Sequence, residues 1–336
     1  MISTGFVNSI KRGCRQLCGR RIYFFAMTVI PIVLAGFLLG LMRNGLPLHI
    51  PTAIVNHDNT ENTRKLIRNI KSSEEVSVVS VVSSEAEAMQ LIRKGKIYGF
   101  YVIPFNFTSD ATAGRAPELA YYTNSTFFIP SSLLFRSLKT NSVLASGAIV
   151  KTYLVNSGAA TDTQAQTLLQ PVVLQTNPLH NPESNYSVYL CNSFIPTALA
   201  LMILLVTAYS IWHEEKMQTS PQWIKEAHGS ITIALLGKLL PQTVVFAAVG
   251  VFMQSLMYGY LHFPLNCSPW QAVGTMLLFV LANQGFAVFI SGIMPNLRMA
   301  LSFCSLFGIL TFSIGAFSFP MEDIYVSIAL FFYILP

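Results

Sequence analysis

Charged side chains are missing from five long stretches of the chain. Residues 22–42, 194–212, 239–261, 270–294 and 299–321 contain no Asp, Glu, Lys or Arg, and Lys238 and Arg298 stand at their borders. The first stretch has 21 residues, about 31 Å as a helix, which matches the hydrocarbon core of a bilayer. A helix of this length in a soluble core would show a polar face. Five such stretches predict a polytopic membrane protein with five spans. Pro31 and Pro196 lie inside two of them and are tolerated there, because neighbouring helices can satisfy the freed carbonyls.

The pattern changes between the first two spans. Ala53–Asn56, Val76–Val82, Ile97–Ile103 and Glu118–Tyr122 read as strands. Asn59–Lys71 has helical spacing through Leu66, Ile67 and Ile70, with Asn59 or Thr60 as N-cap. Ser84–Lys94 opens on Ser84 with Glu87 three residues later, a capping-box pattern. Strands alternating with helices predict a small α/β sheet. Residues 130–170 read as helical, Gln170–Thr176 as extended, and Asn177–Ser187 as a loop returning to the membrane. The expected organisation is an N-terminal helix over 1–21, a first span over 22–43, an α/β domain over 44–191, and a membrane domain over 192–336.

Composition agrees with this partition. Hydrophobic residues make up 52% of the chain and charged residues 11%, against about 25% charged in soluble domains. That excludes an ordinary soluble protein and a disordered one. Five Cys in 336 residues are no disulfide scaffold. The net charge of +6 matters less than its placement: Lys11, Arg12, Arg15, Arg20 and Arg21 precede the first span with no acid among them. Basic flanks stay in the cytoplasm, so the N-terminus is expected inside and the α/β domain outside. The first apolar run is longer than a signal-peptide core and no A-x-A site follows it, so an uncleaved anchor is expected. Within residues 1–21, Phe6, Ile10, Cys14 and Leu17 share one helical face, and Asn8, Lys11, Arg12 and Arg15 the other. This fits an interfacial amphipathic helix and equally a plain topogenic flank.

The α/β region also carries a family signal. Ala53–Ile70 (AIVNHDNTENTRKLIRNI) and Glu85–Asn124 resemble the extracytoplasmic domain of bacterial type 2 ATP-binding-cassette exporter permeases. Asp58 follows the first strand, Ala88 and Gly95 fit an A-x-x-x-l-x-x-G helix, and Ile103, Pro104 and Phe107 close the third strand as that family does. Glu214–Gln242 is similar to the family's E-x-x-x-G-T loop followed by Gly-Lys; Thr219, Gly237 and Lys238 match, while Gln218 stands where the family has Gly. Ser313–Asp323 is similar to its outer turn. The resemblance implies a sixth span after a re-entrant hairpin. Ile324–Leu335 (IYVSIALFFYIL) is too short to cross and is expected to begin that hairpin, with the last span missing.

On this resemblance the chain is expected to be the permease subunit of an exporter in the bacterial inner membrane and not itself an enzyme. ATP and magnesium belong to a partner subunit. Gly95-Lys96 and Gly237-Lys238 are not followed by Ser or Thr, so no phosphate-cradling G-x-x-x-x-G-K-[ST] loop exists. A second permease chain, a periplasmic adaptor and an outer-membrane channel are further expected partners beside the bilayer, and nucleic acid is not. Glu214, Glu215, Thr219, Trp223 and Ile224 are the expected ATPase-coupling residues, with Thr219 capping a helix before Pro221 and Trp223 as an apolar anchor or an interfacial aromatic. Lys238 reads first as a snorkelling side chain. Asn283, Gln284 and Gln254 are expected on a pathway or dimer face, and Phe319, Pro320, Met321 and Glu322 at an outer gate. Cys191 and Cys267 are a candidate disulfide. The alternative is a membrane-anchored surface receptor whose outer domain is the working part.

Overall fold

The computed structural model describes residues 2–43, 45, 47–115, 117–169, 181 and 185–314. They form two compact units, one from Met1–Leu46 with Pro178–Pro336 and one from Pro47–Asn177.

The chain opens with helix α1 (Ile2–Gly19). The first span follows as α2 (Arg21–Phe24), a π-helical turn over Phe25–Val29, and α3 (Ile30–Leu41). Pro31 sits in the first turn of α3, where its missing N–H costs least.

The second unit is a four-stranded sheet flanked by helices. Its elements are β1 (Ile50–Asn56), α4 (Glu61–Lys71), β2 (Val76–Val82), α5 (Glu85–Arg93), β3 (Gly99–Ile103), α6 (Phe107–Thr112), β4 (Ala120–Thr123), α7 (Phe128–Asn156) and α8 (Asp162–Leu169). The order is β2-β1-β3-β4, parallel except for β4. β1 starts three residues earlier than its β-branched run indicates. Pro51 is accommodated because it lies near the strand start, and its carbonyl accepts from Tyr98 N at 2.9 Å.

Successive residues of the central strands enter opposite cores. Ile54, Tyr101 and Ile103 face α4 and α7 with Leu66, Ile70 and Leu134, while Ala53, Val55, Phe100 and Val102 face α5 with Ala88. Burial on both faces explains why these strands are continuous apolar runs. Thr60 caps α4 by accepting from Thr63 N, and Ser84 caps α5 by accepting from Glu87 N, each worth about 1 kcal/mol. Asp58 ties the β1–α4 loop to α6, accepting from Thr108 N at 3.1 Å and from the Thr108 hydroxyl at 2.6 Å. Burial pushes the Tyr101 phenol up to about 12, although its hydrogen bond with Ser142 opposes the shift.

The chain continues with α9 (Tyr186–Lys216), α10 (Ser220–Glu226), α11 (Ile231–Gln254) with a π-helical turn over Ser255–Tyr260, α12 (Pro269–Ile293) and α13 (Leu297–Ile314). Asn185 caps α9, accepting from Ser187 N at 2.8 Å, so the helix begins well before the apolar stretch at 194. α9 is the central post, packed against α3, α11, α12 and α13. Tyr23, Met27, Leu199, Ile203, Phe246 and Val280 fill the core around it.

Among the described residues, four helices are long and apolar enough to cross a membrane: Arg21–Leu41, Tyr186–Lys216, Ile231–Tyr260 and Pro269–Ile293. The fifth expected span corresponds to α13, a shorter apolar helix as far as it is described. Gln170–Thr176, the outer-gate residues Phe319, Pro320, Met321 and Glu322, and Ile324–Leu335 lie outside the described residues.

Candidate functional site

The densest polar chemistry in the helical unit sits where α1, α9, α10 and α11 meet. Glu214, in the last turn of α9, is 4% exposed, and Lys238, two turns into α11, is 1% exposed. Lys238 Nζ donates to Glu214 Oε1 at 2.6 Å, and Arg12 Nη2 of α1 donates to Oε2 at 2.9 Å. Thr219 Oγ1 donates to Oε2 at 2.5 Å. The other end of the Arg12 fork reaches Glu226 Oε1 of α10 at 2.9 Å. Two cations and two carboxylates thus join four helices, and the buried Glu214–Lys238 pair is tolerated because its remaining lone pairs are filled.

Local sequence positions each group. α9 stops because Gln218 turns to φ +56°, the left-handed region that a Gly would occupy without strain. This turn brings Thr219 N back to the Glu214 carbonyl at 2.9 Å. Pro221 then starts α10. His228 and Gly229, at φ +53° and +81°, end α10, and Ser230 caps α11 by accepting from Ile233 N.

Small residues allow the helices to close on one another. Gly5, Ser9 and Gly13 are the buried positions among the described side chains of α1. A Cβ on Gly13 would lie 3.0 Å from the Lys238 carbonyl oxygen, and one on Gly237 would lie 2.4 Å from Ser9 Cβ. Close backbone approach through small residues four apart is how helices associate in lipid. The face of α1 that packs on the protein is therefore this stripe, and Phe6, Ile10 and Leu17 flank it half-buried. Burial lowers the affinity of Arg12 for its proton, but the hydrogen bonds and charges of Glu214 and Glu226 outweigh it, so the guanidinium is held charged more firmly than usual.

Several sequence expectations change at this point. Trp223 is not an exposed anchor: it is 6% exposed and packs with Ala227 and Ala234, with Lys238 Nζ 4.7 Å from its ring centroid. A cation over an indole face is itself favourable. Thr219 spends its hydroxyl on Glu214 and makes no side-chain cap on α10. Lys238 does not snorkel: it is buried, with its ammonium on the Glu214 carboxylate. Glu215 is exposed and Ile224 half-buried. The expected coupling residues are thus split between a buried scaffold (Glu214, Trp223) and an outer face (Glu215).

The proposed pathway face is also divided. Gln284, 3% exposed, accepts from Thr243 Oγ1 at 2.6 Å and so joins α12 to α11. Asn283 donates to the Phe279 carbonyl of its own helix at 2.9 Å. Gln254 is eleven residues beyond Thr243, about 16 Å farther along α11, and does not join them. The disulfide expected between Cys191 and Cys267 is not formed: both thiols are free, Cys191 buried beside Ser187 and Cys267 exposed. No group of His, Cys, Asp and Glu among the described residues could hold a metal ion.

Residues 21–336 match the model of a family described as ABC-2 family transporter protein. The linearmycin resistance permease protein LnrN of Bacillus subtilis (strain 168) is 30% identical over 98 residues, which is 29% of this chain and 25% of that relative. The chain therefore aligns with about a quarter of that relative's length. No solved structure matches the chain.

Proposed function

Because the chain belongs to the ABC-2 transporter family, we propose that it is the membrane-spanning permease subunit of an ATP-driven exporter whose ATP-binding subunit docks on α10 and the adjoining face of α1. The family match over residues 21–336 carries this reading. The sequence offers no phosphate-cradling loop of its own, so the hydrolytic step belongs to the partner.

A separate motor needs a stiff handle. The Arg12–Glu214–Lys238 contacts bind α1, α10 and the facing ends of α9 and α11 into one body. A displacement of α10 would then reach two spans together. Trp223 serves from inside, as the wedge that seats α10 on α11, while Glu215, Gln222 and Lys225 are the exposed residues offered to the partner. Five basic residues before the first span support a cytoplasmic position for this face, at the bacterial inner membrane. The α/β unit would then be extracytoplasmic, shaping the exit or meeting a periplasmic adaptor that leads to an outer-membrane channel. A second permease chain would complete the pathway, with Gln284 near the pairing face and Phe319, Pro320, Met321 and Glu322 at the outer gate. The name of the relative makes linearmycin the first cargo to test.

The test is affinity purification of the tagged chain from native membranes, with co-purifying proteins identified by mass spectrometry. A subunit bearing a P-loop is expected, and Lys225→Glu should lower its recovery severalfold. A chain that purifies without any ATPase would favour an anchored receptor instead.

A further inference from the structure

Beside the ionic cluster lies a second feature, which shares Arg20 with the pocket over Arg12 and Glu214. Where α1 ends and the first span begins, a crevice of about 520 Å³ runs between α1, the π-helical turn and α11. Arg20 and Arg21 stand at its mouth, and Leu17, Phe24, Met27 and Val245 are among its apolar walls. No acidic residue lines it. Neither guanidinium has an ion-pair or hydrogen-bond partner among the described residues, whereas that of Arg12, eight residues before Arg20, is satisfied twice.

The floor of the crevice is built. Tyr23 and Met27 are each 2% exposed. Gln16 Nε2 donates to the Tyr23 hydroxyl at 2.9 Å, and the Tyr23 ring tilts against Tyr209 at 5.8 Å. The π-helical turn Phe25–Val29 contributes Met27 and Thr28 to the crevice, and such turns gather at functional positions. Met27 is seven residues beyond Arg20, about 10 Å along the axis. The arrangement is therefore charged at one end and apolar for roughly the length of half an acyl chain.

The geometry points to a seat for one anionic glycerophospholipid, its phosphate between Arg20 and Arg21 and an acyl chain along Met27 and Val245. Unpaired guanidiniums at a membrane border want phosphate oxygens, which they bind in a planar fork. Basic pockets between spans on the cytoplasmic side are where such headgroups are recognised. A soluble phosphate would satisfy the arginines but leave the apolar walls in contact with nothing complementary. Occupancy would pin the end of α1 to α11, the same pair of elements that the ionic cluster ties farther along. The inference rests on the proposed cytoplasmic placement of α1 and does not depend on the docking of an ATPase.

Native mass spectrometry of the full chain in detergent tests it, with phosphatidylglycerol and phosphatidylethanolamine of identical acyl chains as probes. Phosphatidylglycerol should bind about tenfold more tightly, and the Arg20→Gln, Arg21→Gln double variant should abolish that preference. Lys11→Gln with Arg15→Gln removes the same charge from the neighbouring helix surface and should leave the preference within about twofold. Val245→Trp fills the crevice without touching charge and should also weaken binding. Glycerol 3-phosphate in millimolar excess should not displace the lipid. Equal loss in the Lys11, Arg15 variant would mean diffuse attraction, and displacement by glycerol 3-phosphate would mean a soluble-anion site; either overturns the assignment. A failed preference for phosphatidylglycerol alongside a recovered ATPase would sink this inference and leave the permease reading standing.

Discussion

Glu214→Gln removes one charge and almost no volume, so it isolates the electrostatics of the four-helix cluster. Lys238 is 1% exposed, and Glu214 is its only acidic partner among the described residues. The variant therefore strands a buried ammonium, and breaking a buried pair by removing one member costs about 3–5 kcal/mol. Arg12 loses less, because Glu226 still holds it at 2.9 Å. Lys238→Met should be milder. Glu214 then keeps Arg12 and Thr219 at 2.9 and 2.5 Å, and the loss is one charge-assisted hydrogen bond, about 1.5–3 kcal/mol. At about 2–4 °C per kcal/mol, thermal unfolding of purified Glu214→Gln should fall by about 6–20 °C, and that of Lys238→Met by clearly less. The double variant should be more stable than Glu214→Gln alone, since no unpaired ammonium remains. Hydrogen exchange should show α1 losing protection first in Glu214→Gln. A fall below about 2 °C for Glu214→Gln, or equal falls for the two single variants, would refute the claim that Lys238 depends on this one carboxylate.

Other consequences follow from the same junction. Gly237→Leu places a side chain where even a Cβ comes within 2.4 Å of Ser9; overpacking of about 1–3 kcal/mol should release α1, seen as raised protease sensitivity of residues 1–20 with the spans still helical by circular dichroism. Gln218→Gly relieves a left-handed residue at φ +56° that costs about 1–2 kcal/mol, and part of that gain is returned as unfolded-chain entropy; a small rise in melting temperature is expected, and any fall would mean that the Gln218 side chain matters more than its backbone.

Four of the five expected spans were legible because charge is absent from them over whole bilayer lengths. So were the caps at Thr60 and Ser84, whose side chains act on backbone groups only three residues away. The four-helix junction was not. Glu214 and Lys238 are 24 positions apart and Arg12 is 202 positions from Glu214, so nothing local signals that they share one site. On α1 the apolar residues drew notice, yet the face that packs on the protein is Gly5, Ser9 and Gly13, a spacing of four whose meaning depends on Gly237 in a distant helix. A stripe of small residues i, i+4, i+8 was the available signal. Trp223 read as an anchor for a partner because large aromatics in short loops often are, but the wedge between α10 and α11 needs filling first. The thiols of Cys191 and Cys267 share an end of the bundle in topology, which sequence can give, and not a common orientation, which it cannot.

The central claim is that an ATP-binding subunit sits on α10. A photo-crosslinking residue at position 225, on the exposed face of α10, tests it in living cells against the same residue at position 270, where Trp270 is 84% exposed at the start of α12. The account predicts a crosslink from 225 to a P-loop ATPase and none from 270. Absence of that product from 225, or an equal yield from 270, would contradict it.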